Sequence, residues 1–420
     1  MNILNNTEIK NKASLAQAEL KNLKFPSKKE EDWKYTKISP LNPELYVQAE
    51  KHEVDQEIIN RNKIEGLDSF KIVYIDGVFV PEFSNYPKDK FIVLPFSEAL
   101  QNEFYTNVIE DKYGKLVPNE YFSVLNTANV KEGTFIYMPK NTVEERPVEI
   151  LYINTEQNKK ASQYLRNLFV VDDNSQILIT TKIQTFSNLD FLTNLVTEVF
   201  VGKNSNFSLY KIQNDSYTTH LLDSTYIEQE RDSQASIYTF SLGGKVTRNE
   251  LIFDQRGENI NSILKGISLI GEGQEVGNHT LVNHNQPNCE SHELYRGIYA
   301  ENAHGIFNGK IKVDQIAQKT NAFQQNNNIL LSNKASIDTK PQLEIFADDV
   351  KCSHGCTVGQ LDNDALFYMK QRGIHDNEAK ALLMFAFCAD VMETVAIPQL
   401  KDTVNKIVAK KLHVDIDFDF

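Results

Sequence analysis

Two of the chain's four cysteines flank a histidine in Val350-Lys351-Cys352-Ser353-His354-Gly355-Cys356. Thiolate and imidazole together suit zinc or an iron–sulfur species. In an extended strand, residues i, i+2 and i+4 face one side, so Cys352, His354 and Cys356 project together at steps of about 6.6 Å. Adjacent members can lean onto one ion at bond lengths of roughly 2.0–2.3 Å. The outer two cannot share it without a bend, which Gly355 would permit. The stretch thus offers at most two or three ligands, and a closed four-ligand site needs others from elsewhere, a partner chain included. Spacing alone is equally compatible with an ordinary strand.

A second histidine group comprises His279, His284, His292 and His304, with Cys289 among them. No spacing there fixes a ligand geometry, so these side chains are expected to hydrogen-bond to turns at strand ends. Cys388 lies in an apolar helical pattern and reads as a small buried hydrophobe. Phosphate-binding loops are absent. Gly243-Gly244-Lys245-Val246-Thr247 lacks the Walker spacing, and Gly271-Glu272-Gly273-Gln274-Glu275-Val276-Gly277 misses the dinucleotide pattern and reads as a turn. There is no Gly-x-Ser-x-Gly elbow and no His-Glu-x-x-His helix. No nucleotide is expected on this chain, and work driven by nucleotide hydrolysis would draw on another subunit.

The elements that position the Cys-x-His-x-Cys stretch change character around it. From about Gly133, β-rich runs follow one another for some two hundred residues, separated by Asn, Asp, Gly and Ser. They include Thr134–Met138, Val148–Ile153, Asn167–Val171, Gln176–Lys182, Leu195–Val201, Asn206–Ile212, Ser236–Ser241, Asn249–Phe253, Ser262–Ile270, Glu293–Tyr299, Gly305–Val313 and Gln342–Phe346. The array is too long for one sandwich, and Asn is frequent at expected turns such as Asn326-Asn327-Asn328, which favours a coiled β-solenoid.

Helical patterns flank the array. Asn11–Leu23 is amphipathic and stops at Pro26, and Trp33 reads as an aromatic anchor between domains. Asp76-Gly77 marks a hairpin turn within Phe70–Pro81, and helical patterning recurs near Phe96–Ile109 and Asn119–Ala128. After Gly359, Asp362 and Asp376 are positioned to cap two helices, the first stopping at Gly373 and the second at Pro398, with a third over Gln399–Lys411. The expected division is a mixed, mostly helical domain over 1–130, the β-solenoid over 131–350 and a helical domain over 351–420.

With 420 residues, 41% hydrophobic and 24% charged, the composition is that of a globular protein of more than one domain. A formal net charge of −13 argues against a nucleic-acid backbone as partner. No apolar run approaches the ~20 residues a spanning helix needs. Met1–Asn6 lacks the basic and apolar regions of a secretory signal. A reducing cytoplasm is the expected setting, where free thiols can serve as ligands.

Val350-Lys351-Cys352-Ser353-His354-Gly355, Thr357-Val358-Gly359-Gln360-Leu361, Ala365-Leu366-Phe367-Tyr368 and Arg372-Gly373-Ile374 closely resemble the SufD family of iron–sulfur cluster assembly proteins. So do Glu31-Asp32-Trp33-Lys34-Tyr35-Thr36, Asp76-Gly77-Val78-Phe79-Val80-Pro81, Glu145-Arg146-Pro147-Val148 and Glu293-Leu294-Tyr295-Arg296-Gly297, which together span nearly the whole chain.

The resemblance implies a mainly β fold, with a right-handed parallel β-helix core between helical N-terminal and C-terminal domains. It implies a non-catalytic scaffold that pairs with the paralogue SufB through the β-helices and docks the ABC-type ATPase SufC on its C-terminal helices. Sulfur would arrive from a cysteine desulfurase through a carrier. Cys352 and His354 fall on the family's Cys-x-His pair, which implies a place beside a transient iron–sulfur cluster at the subunit interface. Cys356 departs from the family pattern, which has Ala there, and is carried only as a further candidate metal ligand. The alternative from another class is a β-helix lyase or hydrolase acting on carbohydrate, which would need clustered carboxylates or a basic group along one solenoid face.

Overall fold

The computed structural model describes residues 6–412 and 414. Met1–Asn5, most of the stretch read for a secretory signal, lie outside the described residues. Two 10-stranded sheets dominate, and from Ala161 onward each strand pairs in parallel with its second neighbours in sequence, not its first. Consecutive strands therefore alternate between the sheets, and two strands with their corners make one coil. This is a parallel β-solenoid.

The period-2 pattern explains the core. Inward residues such as Phe169, Ile179, Phe207, Ile237, Leu264 and Ile311 interdigitate between the sheets and are fully buried. Left-handed residues recur at one corner of successive coils: Asn141, Asn174, Asn204, Asp232, Asn259 and Asn288 all have φ between 54° and 61°. Asn and Asp tolerate this region best among residues with a Cβ. They also bond along the stack, Asn174 Nδ2 to Asn141 Oδ1 at 3.0 Å and Asn204 Nδ2 to Asn174 Oδ1 at 2.9 Å. The Asn326–Asn328 triplet is not a turn: it lies within strand Asn321–Leu330, with Asn326 and Asn328 facing inward and buried.

The N-terminal region both begins the solenoid and covers one of its faces. Asp76 and Gly77, at φ 50° and 79°, turn the hairpin between Phe70–Ile75 and Val78–Phe79. The first of these strands pairs in parallel with Val148–Asn154. The helices here are α1 (Thr7–Leu20), α2 (Gln56–Asn62), α3 (Phe96–Ala99), α4 (Glu103–Lys112) and α5 (Tyr121–Asn129). Trp33 is the expected anchor. It packs with Phe122, Leu192, Leu222 and Val246, and the Arg248 guanidinium lies 4.0 Å from its ring centre.

Beyond the solenoid follow α6 (Asn363–Gln371), α7 (Asp376–Met392) and α8 (Pro398–Lys411). The Asp362 carboxylate caps α6 by accepting from the amides of Asp364 and Ala365, and Gly373 takes φ 87° just past its end. Asp376 does not cap α7. His375 holds that position, and the Asp376 carboxylate pairs with Lys370 and Lys380, which hold it down at about 2. Pro398 opens α8 instead of closing α7, which suits a residue with no N–H to leave unpaired. Met384, Val391, Leu400 and Val404 cover the outer face of the second sheet at Tyr210, Tyr238, Ile267 and Ile298. Cys388 is buried in this packing, and burial pushes its thiol up to about 12.

Candidate functional site

The Cys-x-His-x-Cys stretch is the last strand of the solenoid. Lys351–Gly359 runs nine residues past position 350 and pairs in parallel with Asn321–Leu330. It ends its sheet, and Ser336–Ile345 ends the other, so among the described residues the solenoid stops on two unpaired edges. Unpaired edges are templates for a further strand.

Register fixes which way the motif points. Cys352, His354, Cys356 and Val358 stand beside Ala322, Gln324, Asn326 and Asn328, all at most 2% exposed. The motif therefore continues an inward column, and its members meet solvent only because no coil lies above them. The Cys356 thiol donates to Thr339 Oγ1 at 3.2 Å, joining the two edges across the open end. Val358, Ile345 and Phe346 leave apolar surface there.

The three motif residues sit differently. Cys352 is half-buried beside Leu343, Ala347 and Val350, and burial pushes its thiol up. Ligation must therefore displace a proton from it. His354 and Cys356 are exposed. The strand does not bend at Gly355, so the outer cysteines stay about 13 Å apart at two strand steps of about 6.6 Å each. Among the described residues no group of three His, Cys, Asp or Glu is arranged to hold a metal ion. The column offers ligands toward the open end but closes no site by itself.

The second histidine group does not converge on one point. His279 is buried with its Nε2 at 2.5 Å from Arg248, and His284 bonds Ser291 at 2.9 Å. Burial lowers both imidazoles, His284 to about 3. His292 stacks on Phe323 at 5.8 Å. His304 bridges two carboxylates, Glu275 at 3.0 Å and Asp338 at 2.8 Å, and the Glu275 bond leads in raising its pKa. The expected bonds to turns are not what holds them: His284 and His304 lie at strand ends, but each of the four meets side chains of neighbouring strands.

Sequence reasoning quoted Glu293 only within a family motif and placed no group beneath His354. Glu293 and Gln324 are buried on the two preceding coils of the same column, with Gln324 Nε2 donating to Glu293 Oε2 at 2.6 Å. Burial pushes the Glu293 carboxyl up to about 7. Their neighbourhood depends on a register offset of 31 residues, which no local motif encodes.

The chain is thus a parallel β-solenoid whose last strand carries a Cys-x-His column, and comparison with known proteins gives the family. Residues 152–387 match the SUF system FeS cluster assembly, SufBD core domain, and residues 4–150 match the SufBD protein N-terminal region. The chain belongs to the SufBD family.

An iron–sulfur cluster assembly SufBD family protein of Synechocystis is 30% identical over 415 residues, covering 95% of this chain and 90% of that one. The iron–sulfur cluster assembly protein SufD of Escherichia coli is 27% identical over 92% of this chain and 89% of its own length. SufB of Bacillus subtilis is 24% identical over 83% of this chain and 70% of that one.

Proposed function

We propose that this chain is a non-catalytic, cytoplasmic scaffold subunit for iron–sulfur cluster assembly. It pairs through its open solenoid end with a SufB paralogue and docks the SufC ATPase on α6–α8. Cys352 and His354 face the junction where the transient cluster, as cargo, forms, and Cys356 stands beside them as a further thiol. Sulfur comes indirectly from a cysteine desulfurase and its carrier.

The observation that carries this reading is the inward column left open at the solenoid's end. Two unpaired edges receive a partner's strands, and the same contact brings outside ligands over Cys352 and His354. The chain then contributes part of a coordination sphere, which agrees with the lack of a closed metal group among the described residues. A carbohydrate-acting β-helix enzyme would need clustered carboxylates or a basic group presented along one open solenoid face. Here α7 and α8 lie on one outer face, and the N-terminal segment lies on the other.

Co-expression with SufB and SufC homologues tests the reading. His354→Ala should leave the complex assembled and lower the cluster absorption and bound iron after anaerobic reconstitution. Unchanged loading would remove His354 from the site. Failure of the wild-type chain to bind the ATPase would overturn the scaffold assignment.

A further inference from the structure

Leu264, Glu293, Gln324 and His354 occupy one inward column on successive coils. Below Glu293 the column is apolar, and above it everything is polar. Gln324 is 1% exposed and gives its Nε2 to Glu293 Oε2 at 2.6 Å. That bond leaves Gln324 Oε1 buried and without a hydrogen-bond partner. Such an orphan calls for a specific explanation, because a buried acceptor left unpaired costs about 1–3 kcal/mol.

Room has been made for this amide. On the facing sheet stands Gly309, where a Cβ would lie 2.4 Å from Gln324 Nε2. The next polar group along the column is the His354 imidazole, on the adjacent strand at a spacing of about 4.8 Å.

We propose that Gln324, itself held by Glu293, is a positioning residue for His354: its Oε1 accepts one imidazole N–H and leaves the other ring nitrogen free at the open end. Histidines that bind metals commonly spend their second nitrogen on such a partner, which fixes both tautomer and ring orientation. Here an amide relays the anchoring from a carboxyl one coil deeper. The amide orientation supports the direction of the relay. An acidic group below takes the NH₂, so the carbonyl oxygen is what remains for the ring. The inference rests on His354 as a ligand in the proposed function, and it adds two residues that never touch the metal.

The test uses the full-length chain. Nitrogen NMR of its ¹⁵N-labelled histidines, with His354→Gln to assign the signal, should show His354 as a single tautomer. Gln324→Leu should return it to the mixture of a free imidazole, and Co²⁺ alone should bind about 10–100-fold more weakly. Glu293→Gln still offers an oxygen to Gln324 and should keep the single tautomer. A mixed tautomer in the wild-type chain overturns the proposal without any variant, even if Gln324→Leu fails to fold. An unchanged tautomer in Gln324→Leu also overturns it. The tautomer is read without any cluster, so this failure is distinct from a failure of the scaffold reading, which His354→Ala loading decides.

Discussion

The Cys356 thiol donates to Thr339 Oγ1 at 3.2 Å, across the gap between the last strands of the two sheets. The bond shows that Cys356 points into the solenoid's open end and not out from its side. Accessibility to solvent there comes from the missing next coil, so a partner seated on the two edges removes it.

The four cysteines should consequently react in a fixed order. Cys356 is exposed and Cys352 is half-buried, while Cys289 and Cys388 are buried with thiols pushed up to about 11 and about 12. Alkylation requires the thiolate. Intact-mass measurement after brief iodoacetamide treatment should find Cys356 modified first, Cys352 later, and the other two only after denaturation. In the complex with the partner, Cys356 should become protected. Equal reactivity of Cys356 in the free and bound chain would place the partner elsewhere.

Strands rich in apolar and β-branched residues, such as Leu195–Val201 and Ser262–Ile270, were legible as β-rich runs. Thr219–Gln229, Glu275–His284 and Asn321–Leu330 were not, because polar residues fill part of their inward faces. Those groups satisfy one another inside. Lys211 pairs with Asp223 at 2.7 Å, Asn249 Nδ2 bonds Asn278 Oδ1 at 2.9 Å, and Asn328 Nδ2 bonds Asn326 Oδ1 at 2.7 Å. Hydropathy cannot anticipate a partner supplied by the same face, the facing sheet or another coil. The same limit applies to the site. The common direction of Cys352, His354 and Cys356 follows from a period of two, whereas Glu293 beneath them requires the pairing itself.

Glu293 should give the protein a pH dependence that one substitution removes. Burial raises its carboxyl from 4.5 to about 7. The folded state therefore binds more protons than the unfolded chain between those values, and stability falls as pH rises through the window. The shift corresponds to about 3 kcal/mol. Urea midpoints of the parent and Glu293→Gln, compared from pH 4 to pH 8, should diverge in favour of the variant as pH rises. Other buried acids, such as Glu250 at about 7, titrate in both proteins and cancel in the difference. A difference independent of pH would show that Glu293 ionises in the folded protein as it does in solvent.

Arg166 and Glu198 form a fully buried pair at 2.8 Å beneath the N-terminal helices. The Glu198 oxygens also accept the amides of Gly114 and Leu116, which ties the end of α4 to the solenoid. Arg166→Leu would leave that carboxylate buried without its cation, which costs about 3–5 kcal/mol. Replacing both with Arg166→Leu and Glu198→Leu should recover part of the loss, because the stranded charge goes too. Denaturation midpoints of the two variants decide this, and a double variant weaker than the single would point to the Gly114 and Leu116 bonds as the dominant contribution.

Helix α6 has no buried residue, and Phe367 and Tyr368 present their rings 64% and 60% exposed. Its fold does not depend on covering them: Asp362 caps the start, and Gly373 at φ 87° follows the end. Two exposed rings side by side offer apolar surface that a partner protein can cover. In the proposed assembly that protein is the ATPase. Phe367→Asp should change the stability of the isolated chain by no more than about 0.5 kcal/mol, as expected for an exposed site. Loss of a ring that fills a partner's pocket costs about 2 kcal/mol or more, so affinity for the ATPase should fall roughly 30-fold or further. Calorimetric titration of the purified chain with the ATPase measures it directly. Retained affinity in the variant would move the docking surface from α6 to α7 or α8.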